Sequence, residues 1–216
     1  MAYAGFGLLV SSIIAVVALR YVPAPTSAFM LKAHIDDLIA ARPYQPIQYH
    51  WVSRNQISGQ VFAAVIAAED QRFYRHFGFD VDAIYKAYRQ YQRGGKLRGA
   101  STISQQVAKN LFLSPAKNYA RKVLEIWFTF LIESIWNKDR ILEMYVNIAE
   151  FGDHIFGIEA ASRHYFGVPA KQLSAGQAAL LAATLPNPIL LNAAKPSAYL
   201  VGRRDWIRRQ MQNLQY

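Results

Sequence analysis

The chain has 216 residues, 53% of them hydrophobic and 18% charged, with 24 Lys+Arg against 14 Asp+Glu and a formal charge of +10. That length accommodates one large domain or two small ones with a real core, and the composition excludes a disordered tail. The absence of cysteine excludes disulfides, thiolate-bound zinc, iron–sulfur clusters and thiol nucleophiles, while the basic excess asks for an anionic partner: nucleic acid, anionic lipid or a phosphorylated substrate.

Ala2 to Leu19 carries no charge and is mostly apolar, and Arg20 ends it. Eighteen helical residues span roughly 27 Å, just enough for a membrane span. A cleaved signal peptide fits less well, because no basic residues precede the apolar run; a buried core helix fits less well still, because no face of the segment is polar. Flanking Arg20 and Lys32 would, by the positive-inside rule, leave the bulk of the chain cytoplasmic. Pro23 to Ala28 reads as a linker. Phe29 to Ala41 reads as an amphipathic helix ending before Pro43, and Tyr44 to Val52 as an extended segment. Ser58 to Ala68 is an apolar helix. Asp82 to Tyr91 repeats Tyr85, Tyr88 and Tyr91 at helical spacing until Gly94-Gly95 breaks it. Ser101 to Leu113 predicts a helix capped by Ser101 or Thr102 with Gln105 behind it. Pro115 marks a boundary. Tyr119 to Trp136, Lys138 to Ile148, Phe156 to Tyr165, Gln172 to Leu185 and Arg203 to Leu214 complete a mainly α chain with few strand signals and no internal repeat.

The charge is segregated. Residues 83 to 124 hold Lys86, Arg89, Arg93, Lys96, Arg98, Lys109, Lys117, Arg121 and Lys122 and no acid. A solvated face usually mixes signs, so this stretch favours an anion-binding surface over one that only confers solubility. Among candidate chemical groups, His34, His50, His76, His154 and His164 show no metal-ligand spacing, and no metal site is expected. Ser114 and Lys117 match S-x-x-K, but no K-T-G follows. Nucleotide-binding glycine motifs are missing. Glu69-Asp70 follow the apolar run from Val61 to Ala68. A carboxylate held against such a wall is desolvated and its pKa rises, as an acid/base group requires. The alternative is a surface Glu paired to Arg72 or Arg75.

Four strings add context: Glu69-Asp70-Gln-Arg-Phe73-Tyr-Arg-His76-Phe-Gly78; Arg98-Gly99-Ala-Ser101-Thr102-Ile-Ser-Gln105-Gln106-Val-Ala-Lys109-Asn110; Arg121-Lys122-Val-Leu-Glu125; and Lys138-Asp-Arg-Ile141-Leu142-Glu143-Met-Tyr145-Val-Asn147. In this order they resemble the peptidoglycan glycosyltransferases of family 51, whose motifs run E-D-x-x-F-x-x-H-x-G, G-x-S-T-I-x-Q-Q-x-x-K-N, R-K-x-x-E and K-x-x-I-L-E-x-Y-L-N. The resemblance runs from about Ser58 to Pro196, with Ser104 where Thr is usual and Val146 where Leu is usual. It implies a lysozyme-like, two-lobed, mainly α domain behind an N-terminal transmembrane helix: residues 1–22 as anchor, 23–57 as linker and interfacial segment, 58–216 as glycosyltransferase domain. Without a penicillin-binding domain the chain is similar to the monofunctional members. The family topology puts the domain on the outer side of the bacterial cytoplasmic membrane, against the flanking-charge reading.

The resemblance implies that lipid II, a disaccharide–pentapeptide on undecaprenyl pyrophosphate, is polymerised with inversion at the donor's anomeric carbon. Glu69 matches the general base for the acceptor 4-hydroxyl, and Glu125 the second essential carboxylate. Lys109, Lys117, Arg121 and Lys122 fall where cations meet the leaving pyrophosphate. Ser101, Thr102, Gln105, Gln106 and Asn110 offer neutral hydrogen bonds to sugar and phosphate oxygens. Asp70, Phe73 and His76 belong to the substrate region too, the latter two as supports for Glu69. No cofactor is required, although a divalent cation (Mg or Mn) at the pyrophosphate is compatible with the motifs. Expected partners are lipid II, the nascent glycan strand, membrane lipids, and cell-division or cell-wall synthesis proteins, with no nucleic acid. Two rivals remain at this point: a lysozyme-like hydrolase, which shares paired carboxylates but has no anionic leaving group, and a non-enzymatic binder of membrane or nucleic acid.

Overall fold

A computed structural model describes residues 2–95, 101–114 and 118–214, with side chains from residue 7 onward. Lys96, Arg98 and Lys117 therefore lie outside the described residues. The helices are α1 (Ala2–Tyr21), α2 (Ala28–Ile39), α3 (Gly59–Glu69), α4 (Val81–Gln92), α5 (Ile103–Phe112), α6 (Tyr119–Ile135), α7 (Lys138–Ile148), α8 (Ile158–Phe166), α9 (Ala175–Thr184) and α10 (Ala198–Asn213). Their starts are written in the sequence. Ser27, Ser58, Asp80, Thr102, Asn118, Asn137, Ser174 and Ser197 each accept a first-turn backbone N–H through the side chain, which satisfies donors the helix cannot. The expected Thr102/Gln105 capping box is formed. α10 begins five residues before the expected Arg203, because Ser197 caps it.

Three strands, β1 (Gln48–Tyr49), β2 (Glu150–Gly152) and β3 (Ile155–Phe156), make a small sheet in the order β1-β3-β2. β1 runs parallel to β3 and β2 antiparallel to it. Strands of two or three residues show no alternation, so Phe156 reads in the sequence as part of α8.

The core is mainly helical. α3 packs on α9 and α10, while α5 packs on α6 and α7. Ala64 and Ala67 of α3 and Ala179 and Ala183 of α9 are buried, small side chains that let helices approach closely. These packings bring the C-terminus of α3 against α5, and α5 against α6. The link between the first two is sterically demanding. Gly78 has φ 74, and a Cβ there would lie 2.8 Å from Thr129 Cγ2, so only glycine fits. Its carbonyl accepts the Thr102 hydroxyl at 2.6 Å.

The expected transmembrane anchor finds no support. Among the described residues no helix is long and apolar enough to cross a membrane. α1 is instead docked along the domain. Trp127 Nε1 donates to Ser12 Oγ (3.0 Å) and Trp136 Nε1 to the Val16 carbonyl (2.8 Å). Arg140 donates to the carbonyls of Leu19 (2.7 Å) and Val22 (2.6 Å). Val16 is buried, whereas Leu8 and Ile14 remain exposed.

Candidate active site

α3 stops at Glu69 because Asp70 leaves helical geometry, with φ −160 and ψ 76. Its apolar residues face the core, so the helix delivers the Glu69 carboxylate to a largely desolvated position. Burial pushes that carboxyl above the usual carboxylate range; the Gln106 hydrogen bond and the charges of Arg203 and Lys109 oppose the rise, and Asp70 adds to it. Gln106 Nε2 donates to Glu69 Oε2 at 3.0 Å, and Tyr145 donates its hydroxyl to Gln106 Oε1, also at 3.0 Å. Tyr145 thereby fixes which end of the Gln106 amide faces Glu69. Burial first, then the charges of Glu69 and Asp70, raise the Tyr145 phenol well above its ordinary value, so it remains a donor. Arg203 Nη2 of α10 stands 3.6 Å from Glu69 Oε1.

Asp70, Phe73 and His76 lie beneath this carboxylate. Asp70 is buried; it accepts the Ile103 N–H at the start of α5 (3.1 Å) and holds His76 Nε2 at 3.0 Å from each oxygen. Phe73 is fully buried with the Lys138 ammonium 4.6 Å from its ring centroid. Asp70 thus pins the end of α3 to the beginning of α5, and His76 holds Asp70 in place. Thr102 is likewise buried in its cap.

A pocket of about 250 Å³ opens beside them, lined by Phe29, Ser101, Gln105, Gln106, Lys109, Arg121, Lys122 and Glu125. Arg121, Lys122 and Glu125 share one face of α6. Arg121 Nη1 lies 2.8 Å from Glu125 Oε2 and Lys122 Nζ 2.5 Å from Glu125 Oε1. Glu125 is buried, so its charge is tied to both cations and fixes their heads at the pocket. Lys109 projects from α5 with its ammonium 5.3 Å from the Phe29 ring centroid. Burial pulls its pKa down; Glu125 raises it, Arg121 lowers it, Glu69 raises it and Lys122 lowers it. Lys109 thus feels both carboxylates and stands electrostatically between them. Asn110 is buried on the same helix, and its Oδ1 has no hydrogen-bond partner among the described residues.

Three cations against one carboxylate give the pocket a positive excess suited to a diphosphate-like anion, and beside it burial raises the proton affinity of Glu69, as general-base chemistry requires. The structure brings Glu69, Glu125, Ser101, Gln105, Gln106, Lys109, Arg121 and Lys122 together around this arrangement. Sequence reasoning missed Tyr145, Arg203 and Phe29 as members. Tyr145 stands within the fourth motif string, which was a signal; Arg203 lies beyond the resembling stretch and Phe29 before it.

Comparison with known proteins identifies the family. A family model described as Transglycosylase matches residues 36–212. The biosynthetic peptidoglycan transglycosylase of Pasteurella multocida is 53% identical over 210 residues, covering 97% of this chain and 85% of that protein. Proteins of the same description from Pseudomonas fluorescens (50% over 206 residues; 95% of this chain, 85% of that protein) and Pseudomonas putida strain W619 (48% over 214 residues; 99% and 90%) are also similar. With most of its length matched by the family model and by relatives near half identity, the chain belongs to the transglycosylase family.

Proposed function

We propose that the chain is a peptidoglycan glycosyltransferase of cell-wall biosynthesis that extends glycan strands from lipid II. The observation that carries this reading is a desolvated, amide-oriented Glu69 next to a pocket holding Lys109, Arg121 and Lys122. Glu69 removes the proton from the acceptor's sugar 4-hydroxyl. That oxygen forms a bond to the donor's anomeric carbon while the bond from that carbon to the pyrophosphate oxygen breaks on the opposite face, which inverts the centre. The proton ends on Glu69, and the negative charge developing on the polyprenyl pyrophosphate is met by the three cations. Hydrolysis of a finished glycan has no such anion to stabilise, which favours transfer over the lysozyme-like rival. Both Glu125 oxygens are already held by Arg121 and Lys122, so the pocket's own residues do not fit a divalent cation, and no step needs one.

In this reading the enzyme works at the outer face of the cytoplasmic membrane. α1, uncharged from Ala2 to Leu19 and with Leu8 and Ile14 exposed, is the segment that meets the membrane in this reading, with no span required of it. The exposed Ile84, Tyr85, Tyr88 and Tyr91 of α4 suit a lipid–water boundary. The test is product length: purified protein given lipid II should yield long glycan strands. Shortening of preformed strands without polymerisation would replace this reading with the hydrolase.

A further inference from the structure

Phe29 also lines a second pocket of about 350 Å³, whose charged lining is Asp36, Asp37, Glu150 and Asp153 against Lys32 and Arg42, with His154 among them. His34 and Asp37 are three residues apart on α2 and share a face. His154 occupies the turn between β2 and β3 with a left-handed φ of 58. One ligand atom from each of His34, Asp37 and His154 lies within 4.8 Å of the others. Asp37 and His154 are both buried.

Three features mark this cluster. Both ring nitrogens of His154 face carboxylate oxygens: Nε2 lies 2.7 Å from Asp37 Oδ2 and Nδ1 2.9 Å from Asp153 Oδ1. Carboxylates only accept, so the ring can face both of them only as a doubly protonated imidazolium or with a metal ion in the place of the Nε2 proton. The second feature is His34, whose buried Nδ1 has no hydrogen-bond partner among the described residues although its ring stacks on Tyr44 at 5.5 Å. The third is the left-handed backbone of a non-glycine residue, a geometry that the surrounding structure has to hold in place.

We propose that His34, Asp37 and His154 form a binding site for a divalent transition-metal ion of the zinc class, separate from the Glu69–Glu125 pocket. Two imidazoles and one carboxylate suit zinc, whereas magnesium and calcium favour all-oxygen sets. Bonds of about 2.0–2.2 Å put tetrahedral ligand atoms about 3.3 Å apart, so on binding the 2.7 Å pair of His154 and Asp37 opens and the wider separations, up to 4.8 Å, close. Water takes the fourth position. The Asp153 contact to Nδ1 is the outer carboxylate that orients a ligating imidazole, and Arg42, 3.9 Å from Asp37 Oδ1, leaves Oδ2 for the ion. Such an ion clips α2 to the β2–β3 turn, and α2 carries the Phe29 ring on which Lys109 rests.

The test is zinc titration of the chelator-stripped full chain by calorimetry, alongside His34→Ala and His154→Asn, since Asn accepts the left-handed backbone. We expect one equivalent bound at micromolar or tighter affinity, a rise in Tm with zinc, and at least a tenfold weaker Kd in each variant. X-ray absorption of the zinc-loaded wild type should count two imidazole ligands, a readout that does not depend on either variant folding. No stoichiometric binding, unchanged affinity in folded variants, or no imidazole ligands would overturn the proposal.

Discussion

The Tyr145–Gln106–Glu69 chain makes a sharp double-mutant prediction. Replacing Gln106 by Met strands the fully buried Tyr145 hydroxyl, which costs about 2–3 kcal/mol of stability. Replacing Tyr145 by Phe leaves only the half-buried Gln106 carbonyl oxygen unpaired, at a cost of about 1 kcal/mol. Removing both partners leaves neither stranded, so adding Tyr145→Phe to Gln106→Met should restore roughly 1–2 kcal/mol rather than subtract more. Urea denaturation reads this directly, and each kcal/mol should appear as about 2–4 °C in Tm for a chain of this length. Activity should not be rescued. The Gln106 hydrogen bond holds the Glu69 carboxyl down while burial pushes it up. Without the bond Glu69 protonates at higher pH, so in both Gln106→Met proteins the acidic limb of kcat/KM moves to higher pH. Additive destabilisation, or an acidic limb that stays where the wild type has it, would refute the reasoning.

Further predictions concern the neighbouring groups. Because its folded pKa is raised above the ordinary 4.5, ionised Glu69 lowers stability at neutral pH; Glu69→Gln should raise Tm at pH 7, and the advantage should vanish as pH falls below about 4, where the wild-type carboxyl is protonated in both states. Arg121→Ala should lose more stability than Lys122→Ala, because the Arg121 side chain is 19% exposed and that of Lys122 46%; chemical denaturation should show a cost of roughly 1–3 kcal/mol for Arg121, and both variants should lose turnover. Gly78→Ala, forced into a left-handed backbone against Thr129, should lose about 1–3 kcal/mol, visible as a fall in Tm.

Much of this site is legible in the amino-acid sequence. Helix starts announce themselves through Ser, Thr, Asn and Asp caps, and the Thr102/Gln105 box shows how a local rule becomes geometry. The motif strings name most of the pocket because Gln106 and Lys109 share α5, and Arg121 and Glu125 share α6. What escapes is long-range. Arg203 meets Glu69 only because α10 packs on α3. His34 and Asp37 find His154 across the fold with no spacing between them to read. Apolar composition at the N-terminus likewise says nothing of packing: α1 reads as a membrane span, and the engagement of its Ser12 hydroxyl and Val16 carbonyl by Trp127 and Trp136 has no local signal.

The most direct test of the mechanism is lipid II polymerisation by wild type and Glu69→Gln side by side, with circular dichroism to confirm that both are folded. Loss of a general base should lower turnover about 10²- to 10⁴-fold while lipid II binding is retained. Equal turnover in the two proteins would contradict the assignment of Glu69 as the base.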